Sequence, residues 1–184
     1  MSIKKHIFCL EGEYEDSLHD RKTVLPMLQY LEATQDLGYI YRRTATKEEF
    51  QYYLEKTCLG KYKDYRFIYL AFHGEPHYIF PSEQTRLSLD DIAGQVNGRW
   101  KGKAVHFSSC QTIRIDETAM AQFKEVTGAS LVSGYLGDID FLDGALLDMI
   151  LAFTSAGYQR LSYVPALLKK NYPELLDRTK CTFG

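Results

Sequence analysis

Several signals of specialised protein classes are missing from this chain of 184 residues. No run of about 18 apolar residues could span a bilayer. No block of lysine and arginine marks a nucleic-acid surface, and the 22 basic and 24 acidic residues leave a net charge of −2. We therefore expect neither a membrane nor a nucleic acid among the partners of this chain.

Cysteine is also scarce, with four residues that form neither a CxxC pair nor a His/Cys metal spacing. The start, "MSIKKHIFCLEGEYED", places lysines before an apolar stretch. That stretch is too short for a signal peptide, and acidic residues follow it with no small-residue cleavage site. We expect reduced thiols, a cytoplasmic location, no metal and no cofactor. The acidic "LEGEYED" after the first strand would repel phosphate, which argues against a nucleotide-binding loop.

Apolar strand patterns alternate with helix patterns along the whole chain. The strand predictions include "KKHIFCLE", "YRFIYLAF", "GKAVHFSSC" and "ASLVSGY". Helices are predicted to start at Thr46 and at Ser88, each of which has an acidic residue three positions later, and a further helix is predicted to start near Asp143. Gly38 is expected to end the first helix. This order predicts one α/β domain over residues 1–184, with a mostly parallel sheet covered by helices on both faces.

Two predicted strands end in reactive side chains. "YRFIYLAF" is followed directly by His73, and "GKAVHFSSC" ends in Cys110. Functional groups of open α/β sheets gather at the carboxyl ends of the strands, so neighbouring strands would bring this imidazole and thiol together. Histidine titrates near neutral pH and a thiolate is the reactive form of cysteine. We predict Cys110 as nucleophile and His73 as general base, with the amides of Gly74 and Cys110 as an oxyanion hole.

The remaining histidines and cysteines have simpler interpretations. We read Cys9, Cys58 and Cys181 as unreactive thiols, because a lone cysteine is usually part of the core. His77 follows the predicted base closely and is a minor candidate for lining the cleft. The other histidines are expected to be structural or on the surface: His6, His19 and His106.

These residues resemble the motifs of the caspase-like cysteine peptidases, which include caspases, metacaspases, separases and bacterial CHAT domains. "AFHGEPHYIF" is similar to the caspase stretch in which His-Gly-Glu leads into a short β excursion, and "AVHFSSCQT" is similar to the CHAT strand that ends in the nucleophilic cysteine. The resemblance extends from about Ile68 to Asp148 and is closest to the CHAT domains. It implies a caspase-hemoglobinase-like three-layer sandwich, a protein or peptide substrate, and a His73–Cys110 dyad.

The resemblance leaves the substrate specificity open. Family members that cleave after basic residues often carry an acid just before the cysteine, where this chain has two serines. We expect Asp138, Asp140 or Glu75 to contact substrate, while either aspartate could instead cap the helix that follows and Glu75 could simply be solvated. Regulation by a protein partner or by dimerisation is expected. The alternative is an inactive caspase-like interaction module.

Overall fold

A computed structural model describes residues 5–184. The strands of the main sheet are β1 (His6–Glu11), β2 (Tyr39–Arg43), β3 (Tyr65–Ala71), β7 (Ala104–Ser108), β8 (Leu131–Tyr135) and β9 (Cys181–Phe183). A smaller sheet holds β4 (His73–Glu75), β5 (Tyr78–Ser82) and β6 (Thr85–Ser88). The helices are α1 (Leu25–Gln35), α2 (Lys47–Thr57), α3 (Leu89–Val96), α4 (Glu117–Thr127), α5 (Phe141–Gly157), α6 (Val164–Asn171) and α7 (Pro173–Thr179).

The main sheet has six strands in the order β2-β1-β3-β7-β8-β9. All its pairs are parallel except the last, in which β9 runs antiparallel to β8. The chain moves outward from β1 to β2 and then returns to the other side of β1 with β3. The strand order therefore reverses between β1 and β3, and crevices form above such a point.

Alternating side chains of the central strands pack into two apolar layers. Ile7 and Cys9 of β1 face a core that includes Leu28 of α1 and Leu147 of α5. Their neighbours in β1 face a second core formed with α2, α3 and α4. Helices thus cover both faces of a mostly parallel sheet, and the predicted α/β three-layer sandwich is confirmed.

Local sequence signals explain most helix starts. The predicted capping boxes are present at Thr46 with Glu49 and at Ser88 with Asp91. The helix predicted to start near Asp143 begins two residues earlier, at Phe141, because the carboxylate of Asp140 accepts hydrogen bonds from the amides of Leu142 and Asp143 and caps it.

The end of the first helix and two strands differ from the sequence predictions. Asp36, not Gly38, takes the left-handed conformation that ends α1, with φ of 54°; a short polar side chain tolerates this region. The strands β4 and β9 were not predicted, because three-residue segments carry too little periodicity. Lys4, the first lysine of the predicted strand "KKHIFCLE", lies outside the described residues. No helix in residues 5–184 is long and apolar enough to cross a membrane.

Candidate functional site

The predicted base and nucleophile follow neighbouring strands in equivalent positions. β3 and β7 pair in parallel, and the last pair of the ladder is Ala71 with Ser108. His73 and Cys110 each lie two residues beyond that pair. The register therefore delivers both side chains to the same carboxyl edge of the sheet, as the sequence predicted for adjacent strands.

Both residues line one cavity of about 170 Å³ at this edge. Its wall comes from the loop after β1, the ends of β3 and β7, and the first half of α5: Tyr14, Lys22, Val24, Tyr69, Phe72, His73, Ser108, Ser109, Cys110, Ile139, Asp140, Phe141, Gly144, Ala145 and Asp148. The cavity lies beside the reversal between β1 and β3. A space of this size holds one amino-acid side chain, since a cavity of about 150 Å³ accommodates benzene.

The orientation of the His73 ring is set by Tyr14. Nε2 of His73 lies 2.6 Å from the carbonyl oxygen of Tyr14. A carbonyl only accepts, so Nε2 carries the proton of this bond, and Nδ1 carries the lone pair of the neutral ring. The Tyr14 ring also contacts the His73 ring edge to face, with centroids 5.6 Å apart, and contacts Phe141 in the same way. These contacts fix the tautomer and the plane of the imidazole.

A buried carboxylate holds the loop that carries Tyr14. Glu11, at the end of β1, is fully buried and accepts hydrogen bonds from the Thr23 hydroxyl and the Val24 amide, both at 2.7 Å, and from the Tyr41 hydroxyl. Burial and the Glu11 charge raise the pKa of Tyr14 well above its usual value. The loop between β1 and α1 is thus tied to the sheet at its far end.

The hairpin that carries His73 is attached to the loop that carries Cys110. Thr112, fully buried, donates from its hydroxyl to the Tyr78 carbonyl at 2.9 Å, and its own carbonyl accepts from the His77 amide at 3.0 Å. A methyl group placed on Gly74 would lie 2.1 Å from Thr112 Oγ1 and 2.5 Å from the carbonyl oxygen of Cys110. Gly74 does not take a left-handed conformation. Glycine is required here by the close approach of two segments and not by a sharp turn.

Gln111 shapes the loop just after the proposed nucleophile. It has a left-handed backbone with φ of 56°, which is uncommon for a residue with a side chain. Its amide donates to the Gly137 carbonyl at 3.2 Å, and its side-chain nitrogen donates to Asp138 at 2.7 Å. Arg114 donates to its side-chain oxygen at 3.0 Å. A non-glycine residue in this conformation beside a cavity is typical of functional sites.

The three residues expected to contact substrate lie in different positions relative to the cavity. Asp140 lines the cavity while capping α5, and Asp138 holds Gln111. Glu75 is an exposed residue of β4 that does not line the cavity. His77 bonds to Asp90 at 3.0 Å and also lies away from the cavity wall. A role for Asp138, Asp140 or Glu75 in binding substrate stays a prediction.

A buried polar network lies under the cavity. The Asp148 carboxylate is 1% exposed and accepts hydrogen bonds from His106 Nε2, the Tyr69 hydroxyl and the Ser108 hydroxyl, each at 2.6 Å, and from the Tyr135 hydroxyl. Burial acts to raise the pKa of Asp148, but His106 and the hydroxyl donors outweigh it and hold that pKa below its usual range. Ser108 links this network to the segment that bears Cys110.

The same network contains a serine, a histidine and an aspartate, as a hydrolase triad does, but substrate has no access to it. His106 Nδ1 lies 2.9 Å from the Ser133 hydroxyl while Nε2 bonds to Asp148. Ser133 is 1% exposed and His106 is fully buried. A substrate carbonyl cannot reach such a serine, so we assign these residues a structural role.

The other three cysteines are set apart from Cys110 by their surroundings. Burial raises the pKa of the Cys9 and Cys58 thiols, and burial with the Asp148 charge raises that of Cys181. Cys9 lies in the middle of β1 and is fully buried. None of the three lines the cavity that Cys110 shares with His73.

Sequence reasoning missed the residues that position His73 and the Cys110 loop. Tyr14 acts through its backbone carbonyl, for which no side-chain signal exists. Asp148 did carry a signal, since it is an acidic residue within the apolar sequence of α5 and a buried carboxylate needs donors, whereas Glu11 begins an acidic stretch and carried none. Among residues 5–184, no group of three His, Cys, Asp or Glu side chains is placed to hold a metal ion.

The fold and the cavity define an α/β protein with a thiol and an imidazole at the carboxyl edge of a parallel sheet. The chain belongs to a family of unknown function, DUF6642, whose sequence pattern matches residues 4–176. No curated protein matches the sequence.

Proposed function

We propose that this chain is a cysteine endopeptidase of the caspase and CHAT type, with Cys110 as nucleophile and His73 as general base. The observation that carries the proposal is the placement of both residues two positions beyond the paired Ala71 and Ser108, on the wall of one cavity. A thiol and an imidazole delivered together by two rigid strands are the parts that thiol-based acyl transfer requires.

The orientation of His73 supports its role as base. Because Nε2 donates to the Tyr14 carbonyl, Nδ1 is the nitrogen left to accept a proton. When Nδ1 takes the proton of Cys110, the positive ring is stabilised by the carbonyl dipole on its other side. Tyr14 is thus a positioning residue that acts through its main chain.

The reaction follows from these roles. The Cys110 sulfur attacks the carbonyl carbon of the scissile peptide bond, and the carbonyl oxygen becomes an oxyanion that the Gly74 and Cys110 amides are proposed to stabilise. His73 Nδ1 then donates its proton to the leaving amine, and a thioester remains on Cys110. Water, deprotonated by His73, attacks the thioester and releases the acid product and the free thiol.

The size and lining of the cavity favour a peptide substrate. A volume of about 170 Å³ accommodates one side chain, whereas sites for drug-sized ligands and cofactors are about 300–1,000 Å³. The wall carries the apolar Val24 and Phe141 beside the carboxylate of Asp140, and the charge of its one lysine, Lys22, is paired with Glu15. A side chain with an apolar stem and a positive end fits this lining, in keeping with the predicted contact of Asp140 with substrate.

The test is cleavage-site profiling of a peptide library with the wild-type chain and with Cys110→Ala. We expect new termini that share a preferred residue before the cut, produced by the wild type only. Cys58→Ala is the matched control, because it removes a partly exposed thiol outside the cavity; it should keep full activity.

A second variant, at His73, tests the role of the proposed general base. His73→Ala should lower kcat by at least about 10²-fold, the usual contribution of a general base. Cleavage that survives in both Cys110→Ala and His73→Ala would overturn the proposal. Absence of cleavage by the wild type, with Cys110 no more reactive than Cys58, would favour the inactive interaction module instead.

A further inference from the structure

The outward face of α5 is unusual for a surface helix. Only two of its 17 residues are charged, Asp143 and Asp148, and Asp148 points into the core. Its exposed face carries an apolar row, here called the α5 stripe: Leu142, Leu146, Met149, Ile150 and Phe153. By contrast, α2 on the other layer presents lysine and glutamate to solvent. A helix that is apolar on all sides is normally covered.

The ends of the stripe are exposed, while Met149 and Ile150 in its middle are half-buried and pack against the core. Leu142 is 67% exposed, Leu146 38% and Phe153 52%. These residues recur at the spacing of one helix face, over about 16 Å at the rise of an α-helix. The stripe and its edges expose roughly 450 Å² of apolar surface, which is the size of the largest apolar patch on a typical monomer, and such a patch is often functional.

The segments just before and just after α5 carry charges of opposite sign. Asp138 and Asp140 precede the helix, whereas Asp143 within it is already paired with Arg178 at 2.8 Å. Near its end the groove between α5 and α6 is lined by Phe153, Gly157, Leu167 and Asn171. Lys170 is an exposed residue of α6 next to Asn171 of this groove, and Arg160 lies three residues after the end of α5.

We propose that the α5 stripe is a dimer interface on which a second copy of this chain packs with its α5 antiparallel. A two-fold axis near Met149 would place the acidic end of each copy against the basic end of the other, and would oppose the two helix dipoles favourably. Two stripes bring together roughly 900 Å² of apolar surface, and the charged ends extend the contact to about 1,200 Å², the lower range of stable dimers. The inference does not depend on the proposed activity.

The first test is the oligomeric state by sedimentation equilibrium up to about 200 μM, where an interface of this size is populated. We expect a dimer for the wild type and a monomer for Leu142→Glu and Leu146→Glu, because each buries a carboxylate in the contact. Leu142 is two-thirds exposed, so its substitution leaves the fold intact by circular dichroism. Val126→Glu, an exposed apolar residue of α4 on the opposite layer, is the matched control and should stay dimeric.

The second test fixes the direction of the helices by cysteine cross-linking in a Cys110→Ala chain. Met149→Cys should cross-link to itself, and a mixture of Leu142→Cys and Phe153→Cys chains should cross-link to each other. Leu142→Cys alone should not. A wild type that stays monomeric, a dimer that survives Leu142→Glu, or self-cross-linking of Leu142→Cys would each overturn the proposal.

Discussion

The thiol of Cys110 lies in the wall of an open cavity, while burial raises the pKa of the other three thiols. Each unit of raised pKa lowers the thiolate fraction at neutral pH about tenfold. We expect iodoacetamide at neutral pH to label Cys110 at least about tenfold faster than any of the others. Peptide mass mapping over time measures the four rates.

The matched variant for this experiment is His73→Ala. It should slow the labelling of Cys110 while leaving that of Cys58 unchanged, because His73 shares the cavity with Cys110 only. Labelling of all four cysteines at one rate would contradict a special environment for Cys110.

The ionised carboxylate of Asp148 should make the free energy of unfolding depend on pH in the acid range. Its pKa is held below the ordinary 3.8 in the folded protein, so its ionised form stabilises the fold above that value. The stabilisation is lost as pH falls below about 4 through the folded pKa. The free energy of unfolding by urea, measured from pH 6 to pH 3, should therefore fall more steeply for the wild type than for Asp148→Asn.

The same variant should be less stable at neutral pH. An amide cannot accept from all four donors around Asp148, so Asp148→Asn should lose about 2–4 kcal/mol. Asp177→Asn, at an exposed position of α7, is the control and should lose less than about 0.5 kcal/mol. Equal acid sensitivity in both variants and the wild type would show that the Asp148 network does not set it.

At the level of strands and turns, β4 lies so close to the Cys110 loop that there is no room for a side chain at Gly74. Gly74→Ala would force the Thr112 side chain and the Cys110 carbonyl to move. We expect a loss of about 1–3 kcal/mol in stability and a fall in kcat/KM of about 10²-fold, since a small displacement of catalytic groups is costly. Peptide hydrolysis and urea unfolding measure the two effects.

Gly94→Ala provides the comparison, because no atom lies within 4 Å of the added methyl group in α3. This variant should be more stable by up to about 1 kcal/mol and fully active. If Gly74→Ala behaved in the same way, the close packing of β4 on the Cys110 loop would be irrelevant to the site.

Two variants of Asp140 distinguish its role as the cap of α5 from a role in binding substrate. Asparagine caps helices as well as aspartate, so Asp140→Asn should keep its stability while Asp140→Ala loses about 1 kcal/mol. If Asp140 also contacts a positive substrate side chain, both variants should raise KM for peptides cut after lysine or arginine. Thermal unfolding and steady-state kinetics distinguish the cap from the contact, and unchanged KM in both variants would remove Asp140 from substrate binding.

Elements with strong periodicity were predictable from the sequence and those fixed by tertiary contacts were not. The buried strands β3 and β7 and the capping boxes at Thr46 and Ser88 are readable because burial and capping leave a local pattern. The three residues of β4 form a strand only because β5 pairs with them. The antiparallel β9 likewise depends on its partner β8.

The proposed site was predictable in part for the same reason. His73 and Cys110 stand out as reactive residues after apolar strands, and the sheet brings them to one cavity. The Tyr14 carbonyl, the support from Glu11 and the bonds of Thr112 come from segments distant in sequence. No pattern within one segment encodes such contacts.

Across the whole chain, the central strands contribute side chains to both helical layers. The single tryptophan, Trp100, is fully buried in one layer, and Cys9 is fully buried in the other. If residues 1–184 form one domain as predicted, both layers should unfold in a single transition. Trp100 fluorescence and the reactivity of Cys9, followed through urea, should give the same midpoint; two midpoints would indicate separable units.

The register of β3 and β7 has a consequence for how the chain could be cut. The relative position of His73 and Cys110 is set by the pair Ala71 and Ser108 and by the bonds of Thr112 to Tyr78 and His77, none of which involves the turn after β5. The exposed turn at Glu83 and Gln84 joins two strands that remain paired on either side of it. Two separately expressed fragments divided at that turn should therefore reassemble into one molecule and bring His73 of one fragment back beside Cys110 of the other.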